Sequence, residues 1–272
     1  MKTNSAIFFL LLAAIMPVFE GCVRCVHYST KETVTVSEVF KTGLPDRDIY
    51  EWRIYTLADE NAELDNFYKD VLIPAYNRQG VSVGAFTTFK PDEKAEKQRY
   101  YLFVYPDINT FYKVQNAIWK DETFNRESKR FFEYSAQKPV YSNYESFLCE
   151  AFERVPHLLK PAADRTLFEF RLYQSPNAEA NQRKIKMFNV EEINLFDKTG
   201  VNSVCYGKVL AGSQMPSLIY LIWHRSEETR TAAWNTFVNH EDWKRMKALP
   251  EYANTVTNIK VALLAPLSYS QY

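Results

Sequence analysis

Residues 50–57, YEWRIYTL, and residues 168–175, FEFRLYQS, carry one pattern twice: aromatic, Glu, aromatic, Arg, aliphatic, Tyr. The features that follow them keep step. Arg53 and Arg171 are 118 residues apart, Gly80 and Gly200 are 120 apart, and Tyr101 and Tyr220 are 119 apart. A repeat on this scale marks a duplicated domain and not a solenoid. Whatever this chain folds into must therefore be two of something.

Hydrophobic periodicity says what each copy is. EWRIYTL alternates as a strand, and Leu64, Phe67, Tyr68, Val71, Leu72, Ala75 and Tyr76 then recur at three- and four-residue spacing, the stripe of a helix over 60–79. Gly80 ends that helix, VSVGAFTTF (81–89) and RYYLFVY (99–105) predict two strands, a second helix starts near Asp107, and VYSNYESFLCEAF (140–152) predicts a fourth strand. The second copy repeats the order. FEFRLY is followed by a stripe of Ile185, Phe188, Ile193 and Phe196, then VNSVCYGKVL after Gly200 and LIYLIWH (218–224). Ser226 is placed to cap the next helix, and TNIKVALLAPL (257–267) closes the unit. Each copy is thus β-α-β-β-α-β, the ferredoxin-like arrangement. The fold class expected is α+β, a tandem duplication of ferredoxin-like units.

Lys2 precedes the apolar run AIFFLLLAAIMPVF (6–19), which is short for a membrane span and reads as a signal peptide. It ends at Gly21–Cys22, which resembles the lipobox of bacterial lipoproteins, with Phe19 and Glu20 departing from the usual pattern. Two outcomes stand: lipidation of Cys22 with membrane anchoring, or plain cleavage and release as a soluble exported (periplasmic) protein. The chain accordingly divides into a signal peptide (1–21), a polar lead-in (22–48), a first unit (49–152), a linker with Pro156 and Pro161 (153–166) and a second unit (167–272).

Lysine plus arginine and aspartate plus glutamate number 33 each, so no basic excess exists to neutralise phosphates, and nucleic acid is not an expected partner. With 7 glycines there is neither G-x-G-x-x-G nor a P-loop. The four histidines (His27, His157, His224, His240) lack metal-ligand spacing, and no cofactor is expected. Cys149 and Cys205 sit in strand-like runs as small core residues, a bridge between them being left open.

The ordered set of E-x-R-x-Y, helix ends YNRQGV and FDKTGV, NHEDWKRMKALPEY and the closing PLSYSQY resembles the NIPSNAP family, over nearly everything from residue 49 onward. The resemblance implies two ferredoxin-like units packed sheet to sheet, so that the tandem duplication forms an intramolecular dimeric α/β barrel. Some wider relatives of that barrel are small oxygenases and haem-handling enzymes, and no catalytic motif carries over residue by residue.

Alternation suggests where a ligand sits. Tyr50, Trp52 and Ile54, like Phe168, Phe170 and Leu172, are expected against the helices, which demand apolar contact. The opposite face would turn Glu51, Arg53, Tyr55, Glu169, Arg171 and Tyr173 into the barrel interior. Arg53, Tyr55, Tyr101, Arg171, Tyr173, Tyr220 and His224 are therefore the candidate lining of a chamber for a small anionic or aromatic ligand, with His224 the one candidate for proton transfer. The simpler alternative is that the charges pair within each strand, Glu51 with Arg53 and Glu169 with Arg171, and merely fill the space. The functional expectation is a ligand-binding or interaction module using the barrel interior, with a small oxygenase-like or haem-linked enzyme as the alternative. Further association into a homo-oligomer is left open.

Overall fold

A computed structural model describes residues 45–58, 62–90 and 97–272. The signal-peptide and Cys22 expectations lie outside the described residues.

The first unit comprises β1 (Ile49–Leu57), α1 (Glu63–Phe67), a π-helical turn (Tyr68–Leu72), α2 (Ile73–Arg78), β2 (Ser82–Thr88), β3 (Gln98–Tyr105), α3 (Ile108–Ile118), α4 (Glu122–Gln137) and β4 (Tyr141–Ala151). The second repeats it with β5 (Leu167–Gln174), α5 (Ala178–Met187), a π turn (Phe188–Glu192), α6 (Ile193–Thr199), β6 (Asn202–Gly212), β7 (Ser217–His224), α7 (Glu227–Asn239), α8 (Glu241–Lys247), a 3-10 turn (Pro250–Tyr252) and β8 (Asn258–Pro266). The eight strands close into one barrel in the order β1-β3-β2-β8-β5-β7-β6-β4, every pair antiparallel. Each unit contributes four consecutive strands. The seams between units join the second strand of one to the fourth strand of the other: β2 to β8, and β6 to β4.

Local chemistry sets the element ends. Gly80 and Gly200 take positive φ of 76° and 79° where the first helical stretch of each unit stops, a conformation that costs glycine little. The Ser226 side chain accepts from Thr229 N while the Thr229 hydroxyl accepts from Ser226 N, a reciprocal cap on α7. The π turn recurs at the same place in both units, although only the first has a proline just beyond it, Pro74 against Asn194. Proline is therefore not its cause.

The sheet faces are the reverse of the sequence expectation. Tyr50, Trp52, Ile54, Phe168, Phe170 and Leu172 fill the barrel, together with Phe86, Tyr100, Phe147, Val204, Leu221 and other strand residues, and among the described residues no helix contributes to that core. Rings from the two units meet across it, Trp52 on Phe170 at 5.0 Å and Phe86 on Phe168 at 4.9 Å. The filling is tight. A Cβ on Gly207 would stand 2.6 Å from Cys149 Cβ, so only glycine fits there. Arg53, Tyr55, Tyr101, Arg171, Tyr173 and Tyr220 lie on the outer face of the sheet, under the helices. The reason is enclosure. Eight strands shut the interior off from water, where any charge costs several kcal/mol, whereas the helical layers supply polar partners, Tyr76 for Arg53 and Arg230 with Trp234 for Glu169. A ligand chamber inside the barrel is thereby excluded.

Candidate functional site

Each unit has a cavity between its sheet and its own helices. In the first unit it measures about 310 Å³, and in the second about 560 Å³. The two share a floor plan with different furnishing.

In the first cavity β1 presents Glu51 and Arg53 from below. Arg53 Nε and Nη2 donate to the two Glu51 carboxylate oxygens at 2.7 and 3.0 Å, and Nη2 also donates to Tyr76 OH at 2.8 Å. Glu51 accepts a further 2.7 Å bond from Tyr105 OH. Burial opposes the Arg53 charge, but the Glu51 carboxylate and the Tyr76 and Tyr68 hydroxyls more than offset it, so its pKa rises further. Tyr68, in the π turn, stacks on Tyr101 at 3.5 Å and donates to Tyr55 OH at 2.9 Å. Burial pushes the Tyr55 and Tyr68 hydroxyls up and keeps them neutral.

In the second cavity the equivalent carboxylate, Glu169, is fully buried and held from the helix side. Arg230 Nε and Nη2 donate to it at 2.6 and 3.1 Å, and Trp234 Nε1 donates at 3.0 Å. Arg171 donates only Nη1 to Glu169, at 3.1 Å, while its guanidinium lies 4.6 Å from the Trp234 ring centre. Among the described residues its buried Nε has no hydrogen-bond partner. Where the first unit has Leu64 and Leu72, the second has Lys184 and Glu192, joined at 2.7 Å, with the Lys184 ammonium 4.7 Å from the Phe188 ring centre. Four cations (Arg171, Lys184, Arg230, Lys247) and one carboxylate (Glu192) line this cavity, and Glu169 lies behind them. The lining is net positive.

The predicted site residues thus divide between two places. Arg53 and Tyr55 line the first cavity, and Arg171 and Tyr173 line the second. Tyr101 and Tyr220 stand behind them; Tyr220 OH is 3.0 Å from Tyr173 OH. His224 reaches neither cavity wall. It is fully buried at the end of β7, 3.9 Å from Glu169, and among the described residues both ring nitrogens lack partners. Burial drives its pKa down to about 4, against a smaller opposing pull from Glu169. Within-strand pairing, the simpler alternative, is present in both units. Sequence reading missed Lys184, Glu192 and Arg230. Lys184 and Glu192 are eight apart, a spacing that a regular helix at roughly 100° per residue leaves well off one face; the wider π turn brings them together. Trp234 and Trp243 also line the second cavity.

Haem does not fit this arrangement. Among the described residues no histidine or cysteine lines either cavity, and His224, buried 3.9 Å from Glu169, is outside both linings.

The NIPSNAP family model matches residues 168–271. That is the second unit, so the chain carries a NIPSNAP-like domain within a dimeric α/β barrel. Among solved structures, a "putative monooxygenase" from Fusobacterium nucleatum aligns with a TM-score of 0.53 and 13% identity, over 82% of this chain and 94% of that one. A "putative monooxygenase" from Lactobacillus acidophilus aligns with a TM-score of 0.52 and 11% identity, over 81% and 94%. A NIPSNAP family protein of unknown function from Agrobacterium tumefaciens matches 42% of this chain and 98% of its own, at 15% identity and a TM-score of 0.36. At such identities the likeness is one of fold. A search of the curated proteins finds no match.

Proposed function

We propose that the second unit is an oxygenase-type site acting on a small conjugated organic anion in the cavity under α5, α7 and α8. The carrying observation is the wall of the 560 Å³ cavity, where the cations Arg171, Lys184, Arg230 and Lys247 face one carboxylate, Glu192. An anionic oxygen in the cavity would accept charge-assisted hydrogen bonds from these cations, which are roughly twice as strong as neutral ones. The aromatic surfaces of Tyr173, Trp234 and Trp243 suit a flat, conjugated body. The fold's likeness to two proteins each named "putative monooxygenase" suggests the reaction class.

The chemistry needs no cofactor when the substrate itself supplies the electrons. An activated methylene loses a proton, the carbanion is oxidised by dioxygen, and the ketone and one water leave: R2CH2 + O2 gives R2CO + H2O. Arg171 and Lys184 would stabilise the enolate or phenolate oxygen, and Glu192, the carboxylate on the wall, would accept the proton. The apolar run at 6–19 would make this an exported activity, and intact-mass measurement of the mature protein separates acylated Cys22 from plain cleavage.

A panel of aromatic and β-keto carboxylates read by thermal shift tests the binding, with oxygen uptake measured on every binder. Binders should raise Tm in the parent and not in Arg171→Met. No stabilisation of the parent by any anion at millimolar concentration would refute the site, and binding without oxygen uptake across the panel would refute the reaction class.

A further inference from the structure

The first unit's cavity is not a copy of the second. Its described lining contains one cation and one carboxylate, Arg53 and Glu51, locked together by two hydrogen bonds of 2.7 and 3.0 Å. Their remaining bonds are with Tyr76, Tyr105 and Gln115, so the pair is neutral and spoken for. Everything else that faces the space is aromatic, aliphatic or an uncharged amide. A ligand arriving with a charge would lose its hydration and find no counter-charge to replace it, at a cost of several kcal/mol.

The rim supplies a second, independent observation. Trp119 is 63% exposed and Tyr144 is 43% exposed, both at the cavity wall. Trp119 stacks on Phe132 at 6.0 Å, and Tyr144 lies 4.8 Å from the Tyr55 ring. Large rings left in water beside a cavity are costly unless something flat covers them. Below the rim, Tyr55 OH accepts from Tyr68, which leaves its own proton for a ligand oxygen. At about 310 Å³ the space is at the small end for ligand sites, enough for one or two rings.

We infer that the first unit holds a second binding site, for a neutral planar aromatic ligand bearing a hydroxyl or carbonyl group, chemically distinct from the anion site of the second unit. Duplication has produced two sites of opposite preference in one chain.

The probes 2-naphthol and 2-naphthoate, which share a ring system and differ in charge at neutral pH, test this on the full chain labelled with 5-fluorotryptophan. Its 5 tryptophans give 19F signals assignable by single Trp→Phe substitutions. At neutral pH, 2-naphthol should move the Trp119 signal and leave those of Trp234 and Trp243 in place, and Tyr144→Ala should weaken it at least fivefold. Arg171→Met should not change naphthol affinity. Naphthol signals appearing at Trp234 or Trp243, no shift of Trp119 up to millimolar probe, or unchanged affinity in Tyr144→Ala would each overturn the proposal. Naphthoate moving the Trp119 signal as strongly as naphthol would also overturn it. Failure of naphthoate to bind at all would count against the anion site alone.

Discussion

Phe170 and Arg171 are neighbours in β5 that face opposite ways, and replacing each in turn measures what lies on either side of the sheet. Phe170 is fully buried in the barrel, with Trp52 at 5.0 Å and Tyr100 at 5.4 Å from its ring. Removing a buried phenyl costs about 3–5 kcal/mol, the upper end applying where walls cannot collapse inward. A closed barrel with no helix in its core is such a place, so Phe170→Ala should cost near 5 kcal/mol, or about 10–20 °C in Tm for a chain of this size. Arg171→Met is different. Glu169 keeps both bonds from Arg230 and the one from Trp234, and the methionine stem still covers Trp234, so the loss should be about 1 kcal/mol. Trp52→Ala with Phe170→Ala forms a double-mutant cycle whose coupling should be about 1 kcal/mol. Urea unfolding followed by circular dichroism gives all of these. Equal costs for Phe170→Ala and Arg171→Met, or no coupling between positions 52 and 170, would refute the assignment of faces.

The buried Lys184–Glu192 pair should behave as a unit: Glu192→Leu alone strands an ammonium and costs about 3–5 kcal/mol, whereas Lys184→Leu with Glu192→Leu, the first unit's own solution, should be close to neutral in urea while abolishing anion binding. His224 makes stability depend on acid. The unfolded chain protonates this histidine near its ordinary 6.5 and the folded chain only near 4, so stability falls as pH drops through that window, by on the order of 3 kcal/mol in full. His224→Leu should flatten the urea midpoint between pH 7 and pH 4, and an unchanged slope would show that the ring is already solvated. Gly207→Ala should destabilise by about 1–3 kcal/mol in thermal melts, because the added methyl meets Cys149 inside the barrel.

The architecture was legible in sequence because duplication fixes topology twice over: Arg53 opposite Tyr101 and Arg171 opposite Tyr220 keep one register in both sheets. The choice of faces was not legible, for a definite reason. Almost every residue of β1 is buried, so alternation separates two faces without saying which faces water-excluded strands and which faces helices. The assumption that helices require the apolar face fails here because each sheet–helix gap is open and the barrel is shut. The polar members of the helices, Lys184, Glu192 and Arg230, carried the missing information, since charges under a helix need partners: Lys184 and Glu192 have each other, and Arg230 has Glu169 on the sheet beneath. The wider spacing introduced at Phe188–Glu192 hid the link between the first two.

The shared eight-stranded wall has one more consequence. Where two identical chains build such a barrel, a change to one subunit's pocket appears in the other as well. Joining both halves in a single polypeptide releases that constraint: a lysine at 184 imposes nothing on Leu64, and the two pockets are free to specialise while continuing to lean on one common interior.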